Sequence, residues 1–125
     1  MGAQAITRQV MKQRTKNYAL RIIRVVSSVP NTVVGRNIGG QLLRAGTSVA
    51  ANYRAACRAR SRADFLSKLG IVEEEADESL FWQELLVEAG ILEPAKLVKL
   101  IAEGNEILSI IVATKKTVRA NRADA

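Results

Sequence analysis

Apolar residues along this chain recur at helical rather than strand spacing almost everywhere, and that period constrains the fold more than any other feature. Between about Arg36 and Cys57, the residues Ile38, Leu42, Ala45, Val49, Tyr53 and Ala56 advance by 4, 3, 4, 4 and 3, which is one face of a helix. Three other stretches behave alike. Tyr18, Ile22, Val25, Val26 and Val29 share a face over about Thr15–Ser28, with Arg21 and Arg24 outside it, and Pro30 ends that helix. Phe65, Leu69, Val72, Ala76 and Leu80 define a third helix, and Pro94 opens a fourth that keeps its apolar stripe from Leu97 to Val118. The valines of VVSSVPNTVVG look strand-like, but Pro30, Asn31 and Gly35 interrupt them, so they read as a helix end and a loop. Short loops between four helices predict an all-α, antiparallel up-down-up-down four-helix bundle. Its expected extent is residues 15–119, with a flexible basic arm at 1–14 and a fraying tail at 120–125. A chain of 125 residues holds one such domain.

The third helix is the most sharply delimited. Ser61 is a good N-cap with Asp64 three residues on, and Gly90 suits the C-terminal cap. At about 1.5 Å per residue the helix is on the order of 40 Å long. It carries a second apolar face, Ile71, Trp82, Leu85 and Ala89, rotated from the first. A helix with two apolar faces must bury both, so the second is expected between subunits of a homo-oligomer. The second helix is rich in small residues, among them Gly39, Gly40, Ala45, Gly46, Ala50 and Ala51. Each interior glycine costs about 1 kcal/mol relative to alanine, so their presence predicts close approach by a neighbouring helix.

Charge divides the chain. Residues 1–63 carry 12 Lys/Arg and no acidic residue; residues 64–125 carry 7 Lys/Arg and 12 Asp/Glu, for a net charge of +7 overall. The turn between helices two and three concentrates Arg54, Arg58, Arg60, Arg62 and then Lys68. Two readings stay open there: a solvated turn paired with acids, or a surface that contacts phosphates of RNA or another nucleic acid. Gln41, Arg44, Ser48 and Asn52 form a polar line along helix two, either a solvated edge or a polar seam. An antiparallel hairpin centred near Arg60 sets Arg44 opposite Glu75 or Glu78.

Several functions are excluded or disfavoured. With no His, the chain has no histidine base, triad or metal ligand. Cys57 is the only cysteine and sits in an alanine-rich apolar stretch, so it reads as a small buried hydrophobe. There is no glycine-rich phosphate loop, no signal-peptide core and no membrane-spanning run, so a cytoplasmic protein is expected, without enzymatic activity, cofactor or metal.

The segments QLLRAGTSVAANYRAACRARSRADF and KLGIVEEEADESLFWQELL resemble the 23S rRNA intervening-sequence proteins. The resemblance spans about residues 15–119. Its most specific parts are Gln41-Leu42-Leu43-Arg44, Ser48, Asn52, Ser61, Asp64-Phe65 and the Glu-rich helix ending in Trp82 and Leu85-Leu86. One departure is Ala55-Ala56-Cys57-Arg58, where many members carry a Glu-Gly pair. The resemblance implies a left-handed four-helix bundle, a cyclic homopentamer and a bacterial source. Relatives are encoded inside intervening sequences of ribosomal RNA genes. A related family member, the accessory variability protein of diversity-generating retroelements, is a basic pentamer that binds nucleic acid and a reverse transcriptase. The resemblance implies no catalytic residue. Two functions follow as expectations: an oligomeric adaptor for RNA or a ribonucleoprotein, or a protein–protein scaffold whose charges meet at subunit interfaces.

Overall fold

A computed structural model describes residues 7–121 and contains four helices: α1 (Arg8–Ser27), α2 (Val33–Ala56), α3 (Arg62–Glu88) and α4 (Pro94–Ala120). Each packs on its neighbours in sequence, and α1 also meets α4, which closes a four-cornered bundle. The diagonal pairs do not pack backbone to backbone among the described residues. No strand occurs among them either.

Three helices start on the same device. The hydroxyls of Thr7, Thr32 and Ser61 accept the amides of Val10, Gly35 and Asp64 at 3.1, 3.0 and 3.0 Å. Each satisfies an otherwise orphaned donor of the first turn. α3 ends at Gly90, whose φ of 72° is one that other residues adopt at a steric cost. Pro94 starts α4, where its missing N–H is no loss.

Two boundaries correct the sequence reading. α1 begins at Arg8 rather than near Thr15, so the second half of the expected flexible arm, residues 8–14, is helix. Met11 and Thr15 are buried and Arg14 pairs with Glu103 of α4, which ties the extra two turns down. Similarly α2 begins at Val33 rather than Arg36, because Thr32 supplies the cap within the valine-rich stretch. At the other end α4 runs to Ala120, and Asn121 caps it. The remainder of the proposed arm and tail, residues 1–6 and 122–125, lies outside the described residues.

The core is built from the anticipated stripes. Ile22, Leu42, Val49, Leu69, Val72, Leu97, Ile107 and Ile111 are fully buried. On α1 the buried face is shifted toward the N-terminus: Val25 and Val26, with Val29 just beyond the helix, are only half-buried, while Met11, Thr15 and Ala19 go inside. A polar knot sits in the middle. The Tyr18 hydroxyl lies 2.8 Å from Ser79 Oγ and accepts from Gln83 Nε2 at 2.8 Å. These bonds link α1 to its diagonal partner α3. Gly104 of α4 closes the same spot, since a Cβ there would lie 2.7 Å from the Tyr18 hydroxyl. Burial pushes the Tyr18 phenol above its ordinary pKa, against the opposing effect of its two hydrogen bonds.

The four seams differ in how they are joined. α1 and α2 both lie in the acid-free part of the chain, so no ion pair can form between them. They meet through close packing instead: a Cβ on Gly46 would lie 2.7 Å from Ile22 Cγ1. The other three seams are bridged by charge. Arg14 grips Glu103 with two bonds of 2.7 and 2.9 Å, Arg44 joins Glu75 and Glu78, and Lys115 reaches Glu73 at 2.8 Å.

Candidate nucleic-acid interface

The turn between α2 and α3 lies at one end of the bundle, and its arginines stand clear of the core. Arg54, Arg58, Arg60 and Arg62 are all exposed. Among the described residues none of them has a carboxylate within ion-pair distance. The reading in which most of these arginines pair with acids of α3 therefore does not hold within one protomer. Lys68 is different. Its Nζ donates to Asp64 Oδ1 at 2.9 Å, one turn back on α3, so it is not a free cation for phosphate. The same carboxylate accepts the Arg60 amide at 3.3 Å. These two bonds, the Lys68 one foremost, hold Asp64 below the usual carboxylate range.

The fold adds an arginine that the sequence reading left in the arm. The Arg8 guanidinium lies 4.6 Å from the centre of the Phe65 ring, a cation–π arrangement that holds its flat face in place. Arg8, Arg60 and Arg62 line one cleft of about 350 Å³ with Ser61, Phe65 and Asn121. Three arginines thus line one cleft at the N-terminal end of α3, where the helix dipole also favours negative charge. The only sequence signal for Arg8 was Thr7 followed by Met11, Thr15 and Tyr18 at helical spacing.

The polar line on α2 does not act as a unit. Arg44 spans the two acids opposite it, 3.1 Å from Glu75 Oε2 and bonded to Glu78 Oε1. The same Glu78 oxygen accepts the Trp82 indole N–H at 3.1 Å. Trp82 first, and Arg44 second, hold the Glu78 carboxyl below its ordinary range. Asn52 instead donates to the Ser48 carbonyl on its own helix at 2.9 Å, and Gln41 is simply exposed. The seam is therefore Arg44–Glu75–Glu78–Trp82, and Gln41, Ser48 and Asn52 are not part of it. Cys57, expected inside, is half-buried at the end of α2.

The second face of α3 is open on the single chain. Ile71 and Ala89 are exposed, whereas Trp82 and Leu85 are half-buried against the bundle. The bulk of the open surface comes from a residue the sequence reading passed over. Phe81 is 52% exposed, with its ring edge against Trp82 at a centroid distance of 4.9 Å. It stands among Glu74, Asp77, Glu84 and Glu88, all exposed. No helix among the described residues is long and apolar enough to cross a membrane. No group of three or more His, Cys, Asp or Glu among them is placed to hold a metal ion.

Comparison with known proteins is consistent with this architecture. A family model of the 23S rRNA-intervening sequence protein matches residues 7–113. A crystal structure of a protein of unknown function from the S23 ribosomal protein family of Bacteroides thetaiotaomicron is similar, at 33% identity and a TM-score of 0.81. The alignment covers 86% of this chain and 99% of that one. No curated protein matches the chain in sequence.

Proposed function

The chain belongs to the 23S rRNA-intervening sequence protein family, and from that premise we propose that it is a non-enzymatic, homo-oligomeric adaptor that binds RNA phosphates at the α2–α3 end of its bundle. The observation that carries this reading is the cluster of Arg8, Arg58, Arg60 and Arg62, exposed and without carboxylate partners among the described residues. Unpaired guanidinium groups release condensed counterions when they meet a phosphate backbone. No base-reading helix or run of stacking aromatics accompanies them, so the contact is with backbone rather than sequence. In an oligomer, five-membered by family resemblance, each modest patch is repeated, and repetition raises avidity without new contacts. The cytoplasm is the compartment this reading requires.

Filter binding of structured RNA across a salt series tests it. Affinity falls steeply as salt rises, and the combined Arg58→Glu, Arg60→Glu and Arg62→Glu variant binds weakly with a shallower salt slope. Salt-insensitive binding, or binding untouched by the three reversals, overturns the reading.

A second reading, a scaffold that binds protein and no nucleic acid, is favoured by one observation: the exposed acidic and apolar face of α3 around Phe81. That face repels phosphate, so its partner is a protein surface.

A further inference from the structure

The α1–α2 seam leaves a groove on its outer side. Lys12 and Lys16 of α1 and Arg54 of α2 stand around it, and Thr47, Ala50 and Ala51 form its floor. Its volume is about 470 Å³. The floor is shallow in side chain because α2 uses small residues to approach α1. The rim is purely cationic because neither helix has an acid to offer. Along α1 the positions Gln9, Gln13, Lys16, Leu20 and Ile23 advance by 4, 3, 4 and 3, so exposed Leu20 and Ile23 continue the groove's wall. Leu43, one turn before Thr47 on α2, is exposed in the same line.

The complement of this surface exists on the same chain. Beyond its first turn, the exposed positions of α3 are Ser67, Ile71, Glu74, Asp77, Phe81, Glu84 and Glu88, which advance by 4, 3, 3, 4, 3 and 4 and so share one face. That face is purely acidic in charge, with Ile71 and Phe81 as its apolar points. Phe81 projects between Asp77, four residues before it, and Glu84, three after it. Among the described residues neither acid has a cationic partner.

From this match we infer that the α1–α2 groove receives the outer face of α3 from a second copy of the chain, with Phe81 over the Ala50–Ala51 floor and Asp77 and Glu84 against Lys12, Lys16 and Arg54. The inference rests on the reading of the protein as a self-assembling adaptor and names the two surfaces that assemble. An RNA strand would satisfy the rim but gain nothing from Leu20, Ile23, Leu43 and the alanine floor. A second α3 face satisfies both. Groove and knob lie on different faces of one bundle, so each contact leaves one of each free. The assembly is therefore head-to-tail, which closes into a ring where the rotation between copies permits. It also leaves Arg58, Arg60 and Arg62 outside the contact.

Light scattering on the purified full chain tests the assignment. The wild type gives a multiple of the 13.6 kDa chain mass. Phe81→Asp reduces the mass to that of one chain, with helical circular dichroism unchanged because the ring is exposed. Paired reversal of the rim, Lys12→Glu with Lys16→Glu, does the same, as does paired reversal of the knob, Asp77→Lys with Glu84→Lys. Combining all four restores the assembly, because every reversed groove then meets a reversed knob. A wild-type oligomer indifferent to Phe81→Asp, or a fourfold variant that stays monomeric, overturns this interface while leaving oligomerisation standing. A monomeric wild type overturns both. If that monomer loses RNA binding on rim reversal, the groove belongs to phosphates instead.

Discussion

α2 is joined to its two neighbours by opposite means. Toward α3 it presents Arg44, which reaches across to Glu75 and Glu78. Toward α1 it presents Gly46, which lets Ile22 come within contact of its backbone. The difference traces to the charge partition of the sequence. α2 and α3 lie on opposite sides of Asp64, the first acidic residue, so they can exchange charge; α1 and α2 lie on the same side and cannot. A seam without ion pairs holds only by steric fit, and fit between two helices requires small side chains at the crossing. The cations that find no partner across the seam are left on its outer surface. Close packing inside and an unneutralised rim outside are thus two results of one compositional fact.

The largest expected effect breaks the close-packed seam. Gly46→Leu drives a side chain into Ile22 and costs about 3 kcal/mol, the upper part of the range for overpacked cores. Gly40, on the same helix, is the matched control. Nothing lies within 4 Å of a Cβ placed there, so Gly40→Ala stabilises by up to about 1 kcal/mol through helix propensity. Urea unfolding of the two variants reads the contrast directly. Equal effects at both positions would show that α1 does not approach α2 as closely as Gly46 indicates.

Next in size is the polar knot under both seams. Tyr18→Phe removes the hydroxyl that accepts from Gln83 and meets Ser79. Gln83 keeps its bond to the Ser79 carbonyl at 3.2 Å, so one partner survives. The loss is about 1–3 kcal/mol, the penalty of leaving buried polar groups underserved. The same burial has an alkaline consequence. Burial raises both phenols, and Tyr53 is pushed to about 12. Groups whose folded pKa is raised contribute stability below the unfolded pKa, near 10, and lose it as pH rises toward the folded value. Thermal unfolding temperatures therefore fall between pH 10 and 12, with tyrosinate absorbance rising in step with loss of helix. A phenol signal that titrates while the helices stay intact would contradict burial as the cause.

How much of this was legible beforehand depended on the kind of information. The helices, their order, the Ser61 cap and the register that sets Arg44 against Glu75 and Glu78 were all readable, because each follows from local spacing in one or two segments. Where α1 begins was not. Polar, basic residues 8–14 carry no strong apolar period, and beyond the Thr7 cap it is tertiary partners such as Glu103 and Phe65 that hold them in place. Ser79 and Gln83 were missed for a related reason: a polar residue declares itself buried only when its partner, here Tyr18 on the diagonal helix, is known. Phe81 was passed over in favour of Trp82 because one residue of rotation, about 100°, separates an open position from one tucked against Glu78. The exposed arginines of the turn were found, yet Lys68 was counted with them, although Asp64 four residues earlier was a visible i,i+4 partner.

The smallest expected effect lies in the charged seam, and pH separates it from the others. Trp82 and Arg44 both lower the Glu78 pKa, so the folded state holds the proton less tightly than the unfolded chain. A depressed carboxylate contributes its stabilisation above the unfolded pKa and loses it as pH falls through the folded one. The bundle should therefore weaken on acidification below about pH 4, the ordinary glutamate range. Removing the guanidinium by Arg44→Gln changes the neutral-pH unfolding temperature little, since the pair is largely exposed and exposed pairs contribute modestly. It does flatten the acid side of the profile, because Glu78 then keeps only the Trp82 bond. Trp82→Phe removes the other contributor, the indole N–H bond to the same oxygen, and should flatten the same limb as well. Neither variant should alter the alkaline loss, whose groups are the buried phenols. A shift on the alkaline limb in Arg44→Gln would mean that the two seams are not energetically separate, and that α2 transmits strain from the charged side to the close-packed one.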